Sequence, residues 1–465
     1  MIVGVAVGIA IALLAFAAAF LVFKSSVRSL VRHSFSGEKA PLIAWRLFSP
    51  RQLEMLLREA SPNLQFLLSR RETTQLSEQI RNRHRTRIRN FEAMQQVEEV
   101  ASFLDESAIS LASGVGEGTA QRMAAVGVES MILRAEKPAQ YFPFSPPQGP
   151  IRLPAEYEAI QSVLLAWPTQ YTERWADHAR LAALITQRAS AHIVVPNAAW
   201  AAAVVLFLGS AGANLERVRF ICAPNDDVWI RDFGPTLVQT ATGPAFIANP
   251  YVPNGLGFHK RDQELPAEIA RVYGLPVHRL PLVIEGGNIL SDGAGRLFLT
   301  DSVFEHNTDI NRRELGDVMA RWFGAADLTV LPAMPGELTG HIDIALKLSN
   351  AGGAWVTEAS PGHPWRAALD EIAAVMARTK TPKGDYYRVV RMPMSPVRSG
   401  ISELCYCNAL TLNGAILFPS YASESDLVAK KVFHELEPDA ALSGVSYSEF
   451  RVGALHCQTK EVAAL

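Results

Sequence analysis

Cysteine is scarce in this chain, and neither sign of charge predominates. Four cysteines in 465 residues are too few for a disulfide-based scaffold. Cys405 and Cys407 are separated by one residue, whereas zinc knuckles and thioredoxin motifs have a gap of two residues. The formal net charge is only −2, which argues against a dedicated nucleic-acid binder.

Charged residues are absent from the N-terminal segment. Residues 1–23 are almost wholly apolar, and about 20 such residues suffice to cross a bilayer as a helix. A secretory signal would open with basic residues, which are missing here, although Ala15-Phe16-Ala17 resembles a cleavage site. Lys24, Arg28 and Arg32 follow the apolar segment instead. The positive-inside rule therefore favours a single-pass anchor with the rest of the chain in the cytoplasm. A cleaved signal, giving a secreted or periplasmic protein, is the alternative.

Residues 24–140 are predicted to be a helical juxtamembrane region. Apolar residues recur three and four positions apart in 52–59 and 91–104. The alternating arginines of 81–89 predict a solvated basic stretch or one that contacts anionic lipid headgroups. No motif assigns a chemistry to this region. Residues 141–150 contain four prolines and predict a linker.

Short apolar strands alternate with helical segments throughout residues 151–465. Residues 162–166 and 192–195 are typical of strands, and residues 176–188 predict a helix between them. Similar units recur to the end of the chain, which indicates the α/β class.

Polar motifs are spaced along this α/β region, and each is predicted to lie in a strand or at a strand end. Their candidate site residues are three carboxylates, an imidazole and a thiol: Asp232, Glu285, Asp343, His341 and Cys457. Paired carboxylates can hold a planar guanidinium, a thiolate can attack its central carbon, and a histidine can protonate the departing ammonia. The set predicts a guanidine deiminase. The motifs are Asp227-Val228-Trp229-Ile230-Arg231-Asp232, Glu285-Gly286-Gly287-Asn288, Gly340-His341-Ile342-Asp343 and His456-Cys457-Gln458-Thr459.

Local patterns support a shared site. Apolar residues alternate with other residues over 342–348, so His341 and Asp343 are predicted on one face of a strand. Gly234-Pro235 predicts a turn just after Asp232, and the two glycines after Glu285 permit close backbone approach. The structural alternatives are a chance His–Asp pair on a surface strand and a turn closed by an Arg231–Asp232 ion pair.

The motifs resemble those of the agmatine deiminase and bacterial-type peptidylarginine deiminase family, among the guanidino-group-modifying enzymes. The resemblance covers roughly residues 145–465, from Leu153-Pro154-Ala155-Glu156 to the segment around Cys457. It implies a pseudo-fivefold α/β propeller with the active site at its axis. The sequence also departs from the family pattern at one position, because Ala454 stands where the family's Gly-Gly-Asn-Ile-His-Cys segment has asparagine.

The resemblance implies a role for each site residue. Cys457 would be the nucleophile and His341 the general acid and base, with Glu285 orienting the histidine or contacting the guanidino nitrogens. Asp232 and Asp343 would bind the guanidinium. Asn408 and Trp229 are further candidates for substrate binding. Neither a metal nor a cofactor is implied, because this mechanism accounts for the acidic residues and for His341.

Agmatine is the favoured substrate, and its products would be N-carbamoylputrescine and ammonia. Peptidylarginine, converted to citrulline, is the enzymatic alternative. Residues 249–253 lack the arginines with which the bacterial peptidyl type binds a carboxylate, so a C-terminal arginine is not specially favoured. A non-catalytic, membrane-tethered protein that binds guanidino compounds is the alternative of another class.

Overall fold

The computed structural model describes residues 128–135, 140–169, 174–251, 260–396, 404–446 and 455–465. The predicted anchor, residues 1–23, and most of the predicted helical region, residues 24–140, lie outside the described residues. None of the helices within the described ranges has both the length and the apolar character that crossing a bilayer would take.

The strands of the described residues form five small sheets, and all five share one pattern. A first strand pairs antiparallel with a second, and a third strand runs parallel to the second. The strands are β1 Tyr141–Pro143, β2 Ile160–Ala166, β3 Ser190–Val195, β4 Val218–Cys222, β5 Thr236–Thr240, β6 Gly243–Ala248, β7 Val277–Arg279, β8 Leu290–Ser291, β9 Arg296–Thr300, β10 Asp327–Leu331, β11 Leu346–Leu348, β12 Gly353–Glu358, β13 Arg388–Pro393, β14 Leu410–Leu412, β15 Ala415–Ser420, β16 Ala441–Ser446 and β17 Lys460–Ala463.

A helix links the second strand of every sheet to the third. The sheets are β17-β2-β3-β4, β5-β6-β7-β1, β8-β9-β10, β11-β12-β13 and β14-β15-β16. The helices of the described residues are α1 Val128–Met131, α2 Trp175–Ile185, α3 Ala198–Ser210, α4 Ile230–Phe233, α5 Lys260–Tyr273, α6 Val303–His306, α7 Arg312–Phe323, α8 Arg366–Met376 and α9 Ser425–Leu436.

Apolar faces of the linking helices pack on the sheets. In α7, Leu315, Met319 and Phe323 are buried in one cluster with residues of β9. Asn311 and Glu314 form a capping box at the start of this helix, and Gly324 ends it in the left-handed conformation, with φ of 72°. The strands predicted at 162–166 and 192–195 are β2 and β3, and the predicted helix is α2. The α/β class is therefore confirmed.

The predicted linker differs from the structure at its start. Residues 141–143 form the edge strand β1, which pairs in parallel with β7. A proline is tolerated at a sheet edge, where the missing N–H leaves no ladder bond unmade, so Pro143 does not prevent pairing. The α/β fold thus includes residues before 151.

Candidate active site

The polar motifs lie in short helical turns at the starts of strands rather than within strands, and the strand predicted over 342–348 is observed only at Leu346–Leu348. Asp232 belongs to α4, and the other turns are single 3₁₀ turns at Gly286–Asn288, Ile342–Ile344 and His456–Gln458. Around His341 the reason is local. Gly340 adopts a left-handed φ of 69°, and the N–H of Ala345 bonds to the carbonyl of Ile342, which closes a turn before β11. Each of the four turns directly precedes the first strand of a sheet.

His341 lies between two carboxylates. Its Nε2 is 2.8 Å from Oε2 of Glu285, and its Nδ1 is 3.5 Å from Oδ1 of Asp232. The ring is only 3% exposed. Burial opposes a charged ring, but the negative charges of Asp232 and Glu285 prevail and raise the pKa of His341 to about 10. His341 is thus an imidazolium at neutral pH and can donate a proton.

Asp232 is a buried carboxylate crowded by other acids. Burial, together with the charges of Glu285 and Asp343, raises its pKa to about 7. The charge of His341 and a 3.0 Å hydrogen bond from the Gly287 N–H act in the opposite direction. A bound cation would offset the crowding and favour the ionised form.

Gly287 is the point on which three of these side chains converge. A Cβ at this position would lie 2.5 Å from Nδ1 of His341, 2.7 Å from Oδ1 of Asp232 and 3.2 Å from Oδ2 of Asp343. Only glycine leaves room for all three groups. The close backbone approach predicted for the Gly-Gly pair is confirmed.

Cys457 and Asn408 lie against Asp343. The side chain of Asn408 donates from Nδ2 to Sγ of Cys457 at 3.3 Å, and its Oδ1 accepts from the backbone N–H of His456 at 3.0 Å. Sγ is 4.0 Å from Oδ2 of Asp343. The thiol, 6% exposed as a residue, therefore lies beside a carboxylate that faces the same space as His341.

The structure brings together six of the seven site residues predicted from the sequence: Cys457, His341, Glu285, Asp232, Asp343 and Asn408. The seventh, Trp229, caps the start of α4, and the guanidinium carbon of Arg174 lies 5.8 Å from the centre of its ring. The carbonyl oxygen of Trp229 accepts the N–H of Asp232 at 2.9 Å, and the substrate-binding role of the Trp229 side chain stays a prediction.

Sequence reasoning missed part of the buried polar site. His456 contacts Asp343 through Nδ1 at 2.7 Å and Glu156 through Nε2 at 2.5 Å, and Lys347 contacts Glu156. Glu156 belongs to the motif at 153–156, and His456 directly precedes Cys457. Both residues therefore stand in recognised motifs, but the sequence assigned a role to neither. Arg231 contacts the carbonyl of His456 and the carboxylate of Glu461, so the guanidinium of this arginine binds backbone and carboxylate rather than Asp232.

Two buried polar atoms at this site lack a hydrogen-bond partner among the described residues. They are Oδ1 of Asp343 and Nδ1 of His341. Buried polar atoms normally have partners in a folded protein, so the two atoms are suited to contact a ligand.

A metal is chemically possible at part of the site. One ligand atom each from Asp232, Glu285 and His341 can be chosen so that all lie within 4.8 Å of one another, and zinc binds such donors. A planar cation with several N–H donors would be attracted by the same negative charge and would also donate a hydrogen bond to Asp343.

Comparison with known proteins places the chain in a family. Residues 152–462 match the Porphyromonas-type peptidyl-arginine deiminases. The chain belongs to this family. A Marinomonas protein named "Putative agmatine deiminase" is 25% identical over 362 residues, which cover 68% of this chain and 96% of that protein.

Solved structures support the fold. A structure of an arginine deiminase homologue from Porphyromonas gingivalis superimposes with a TM-score of 0.61 at 24% identity, covering 67% of this chain and 98% of the other. Agmatine deiminase of Enterococcus faecalis gives a TM-score of 0.61 at 18% identity, covering 69% and 99%. Both likenesses concern the α/β fold alone.

Proposed function

We propose that the protein hydrolyses a guanidinium group to a ureido group and ammonia. The observation that supports this most strongly is the convergence of Asp232, Asp343 and His341 on one point, with the thiol of Cys457 beside Asp343. Two carboxylates hold a planar cation by charge-assisted hydrogen bonds, and a thiolate is a good nucleophile for its central carbon.

The reaction proceeds in two steps. The Cys457 thiolate attacks the guanidinium carbon held between Asp232 and Asp343. His341 gives its proton to the departing nitrogen, which leaves as ammonia, and the substrate remains joined to sulfur as an amidino-thioether. The neutral His341 then removes a proton from water, which attacks the same carbon. The carbon–sulfur bond breaks, the thiolate is restored, the remaining hydroxyl proton passes to solvent or to the released ammonia, and a ureido product leaves.

Glu285 supports the two roles of His341. Its Oε2 accepts from Nε2 of the ring, so this nitrogen keeps a proton throughout the cycle. Nδ1, which has no hydrogen-bond partner among the described residues, is then the atom that gives and takes the proton.

Agmatine is the first-choice substrate. The Marinomonas relative, 96% of whose length is matched by this chain, carries the name "Putative agmatine deiminase", and the motif at Glu285-Gly286-Gly287 resembles that group. Peptidylarginine is the second candidate, because the family that matches residues 152–462 is described by that activity.

The five sheets are proposed to surround one axis as a pseudo-fivefold propeller. The supporting observation is the common strand pattern, together with four site turns that each precede the first strand of a sheet. The apolar composition of residues 1–23 and the lysine and arginines after it support a membrane anchor with a cytoplasmic catalytic region.

The test is ammonia release from three guanidines: agmatine, free arginine and a peptide with an internal arginine. Turnover of agmatine above the other two supports the first candidate, and turnover of the peptide above the other two supports the second. Release of ammonia from none of them, with the protein folded, would contradict the proposed function.

A further inference from the structure

We propose that His456, backed by Glu156 and Lys347, is a positioning residue that holds the Asp343 carboxylate with Oδ1 presented to the substrate guanidinium. The inference rests on the proposed function and adds three residues to it. They act through Asp343 rather than by contact with the reacting atoms.

The geometry is a continuous chain of contacts between charged groups. Nδ1 of His456 lies 2.7 Å from Oδ2 of Asp343, and its Nε2 lies 2.5 Å from Oε2 of Glu156. Nζ of Lys347 lies 2.5 Å from Oε1 of Glu156 and 2.7 Å from the carbonyl oxygen of Ala409. Lys347 is 4% exposed, so water competes little for these contacts.

Carboxylates alternate with nitrogen-bearing side chains along this row of contacts, in the order Asp343, His456, Glu156 and Lys347. Burial opposes ionisation of Glu156, but Lys347 and His456 hold the pKa of its carboxyl well below the ordinary value. Burial likewise opposes ionisation of Asp343, but its hydrogen bond to His456 and the nearby positive charges lower its pKa. Both ring nitrogens of His456 therefore lie against carboxylates, whose oxygens are hydrogen-bond acceptors.

Glu156 is fixed from several sides. Besides Lys347 and His456, its carboxylate accepts the backbone N–H of Thr411 at 2.6 Å. Lys347 lies on β11, and Thr411 lies on β14, so the carboxylate joins the first strands of two sheets. His456 is therefore held against a carboxylate that has little freedom to move.

The consequence for the site concerns the two oxygens of Asp343. Oδ2 is occupied by His456, whereas Oδ1 is buried and has no hydrogen-bond partner among the described residues. His456 thus determines which oxygen remains for the substrate. The same histidine immediately precedes Cys457, and its N–H bonds to Asn408, so the nucleophile and the cation-binding carboxylate are held by one turn.

The test measures binding of agmatine by calorimetry to variants in a Cys457→Ser background, so that turnover does not interfere. His456→Gln keeps a polar side chain but lacks the two ring nitrogens, so it cannot contact both carboxylates as the imidazole does. We expect it to weaken binding by about 10- to 100-fold, the range for loss of a charge-assisted hydrogen bond. His192→Gln is the matched control. His192 is a histidine of β3 that contacts Tyr273 outside this site, and binding should stay within about twofold, as for substitutions away from a site.

A double-mutant cycle with Asp343→Asn separates positioning from a general structural effect. If His456 acts through Asp343, the double variant should bind agmatine within about threefold of Asp343→Asn alone. Additive losses, or an unchanged affinity in His456→Gln, would overturn the inference.

Two further outcomes are distinguishable. If His456→Gln does not fold, Glu156→Gln and Lys347→Met take its place in the same cycle, and failure of all three to fold would show that the network serves the fold alone and would overturn the inference. The wild-type ammonia assay separates the two proposals. Wild-type turnover of a guanidine combined with additive losses contradicts only the positioning role, whereas absence of turnover contradicts the proposed function itself.

Discussion

The sulfur of Cys457 lies 4.0 Å from Oδ2 of Asp343, although 114 residues separate them in the chain. A guanidinium hydrogen-bonded to this carboxylate would bring its central carbon near the thiol, because the carbon is only one bond from each nitrogen that donates to the carboxylate. Binding and attack therefore depend on a single arrangement of two side chains. The roles of the groups around these two side chains can be tested one at a time by substitution.

His341→Ala removes the acid that protonates the departing ammonia and the base that takes a proton from water. Both proton transfers should therefore be slower. Slow residual attack should leave the enzyme as a covalent adduct with the mass of agmatine minus ammonia. Intact-mass measurement after incubation with agmatine tests this, and the His341→Ala Cys457→Ser double variant is the control that should show no adduct. Steady-state rates equal to wild type would mean that His341 has only a structural role.

Asp232→Asn and Asp343→Asn should each weaken binding of agmatine far more than binding of the uncharged ureido product N-carbamoylputrescine. Each substitution removes one negative charge from the cation site, and a hydrogen bond to a charged group contributes about 1.5–3 kcal/mol. Calorimetric titration of the Cys457→Ser background measures both ligands. Unchanged agmatine affinity in both variants would show that the cation binds elsewhere.

The rate constant kcat/KM should rise with pH up to about 7, because the pKa of Asp232 is raised to about 7 and the cation needs the ionised carboxylate. Below that pH, kcat/KM should fall by about tenfold per pH unit as Asp232 and the acids that crowd it together take up one proton. In Asp232→Asn this acid limb should disappear. An acid limb that persists unchanged in the variant would assign the titration to another group.

Gly287→Ala should reduce turnover by about 100-fold or more, since displacement of reacting groups by an ångström has effects of this size. The added methyl would lie within 2.7 Å of both His341 and Asp232. Gly316→Ala is the matched control, because no atom lies within 4 Å of the Cβ that it would add in α7. Thermal unfolding of both variants shows whether the fold survives, and normal turnover by a folded Gly287→Ala variant would contradict the geometry described for the site.

The residue types and their order were sufficient to predict which side chains would meet at the site. Few reactions need carboxylates, a histidine and a cysteine together, as at 232, 285, 341, 343 and 457, and the family resemblance implies a role for each residue. The helical turns at the motifs were not predicted, because turns of three or four residues are too short to show a helical period. Proline content likewise hid the edge strand β1, since a composition that favours loops does not exclude pairing at an edge.

The network behind Asp343 could not be predicted from local patterns. Glu156 and His456 are 300 residues apart, and their contact depends on how several sheets are arranged. Lys347 lies within the alternating segment 342–348, but nothing in that pattern indicates Glu156 as its partner. Contacts of this kind require the tertiary structure, because no short-range period connects the residues.

The most direct test of a thiol-dependent deimination compares ammonia release by wild type, Cys457→Ser and Cys407→Ser with the same guanidine. Cys407 is a buried thiol whose pKa is raised to about 12 by burial, so it serves as the matched control. The account predicts that Cys457→Ser loses at least about three decades of turnover, on the order of 4 kcal/mol of barrier, whereas Cys407→Ser keeps wild-type turnover within about twofold. Comparable ammonia release from Cys457→Ser and wild type would contradict it.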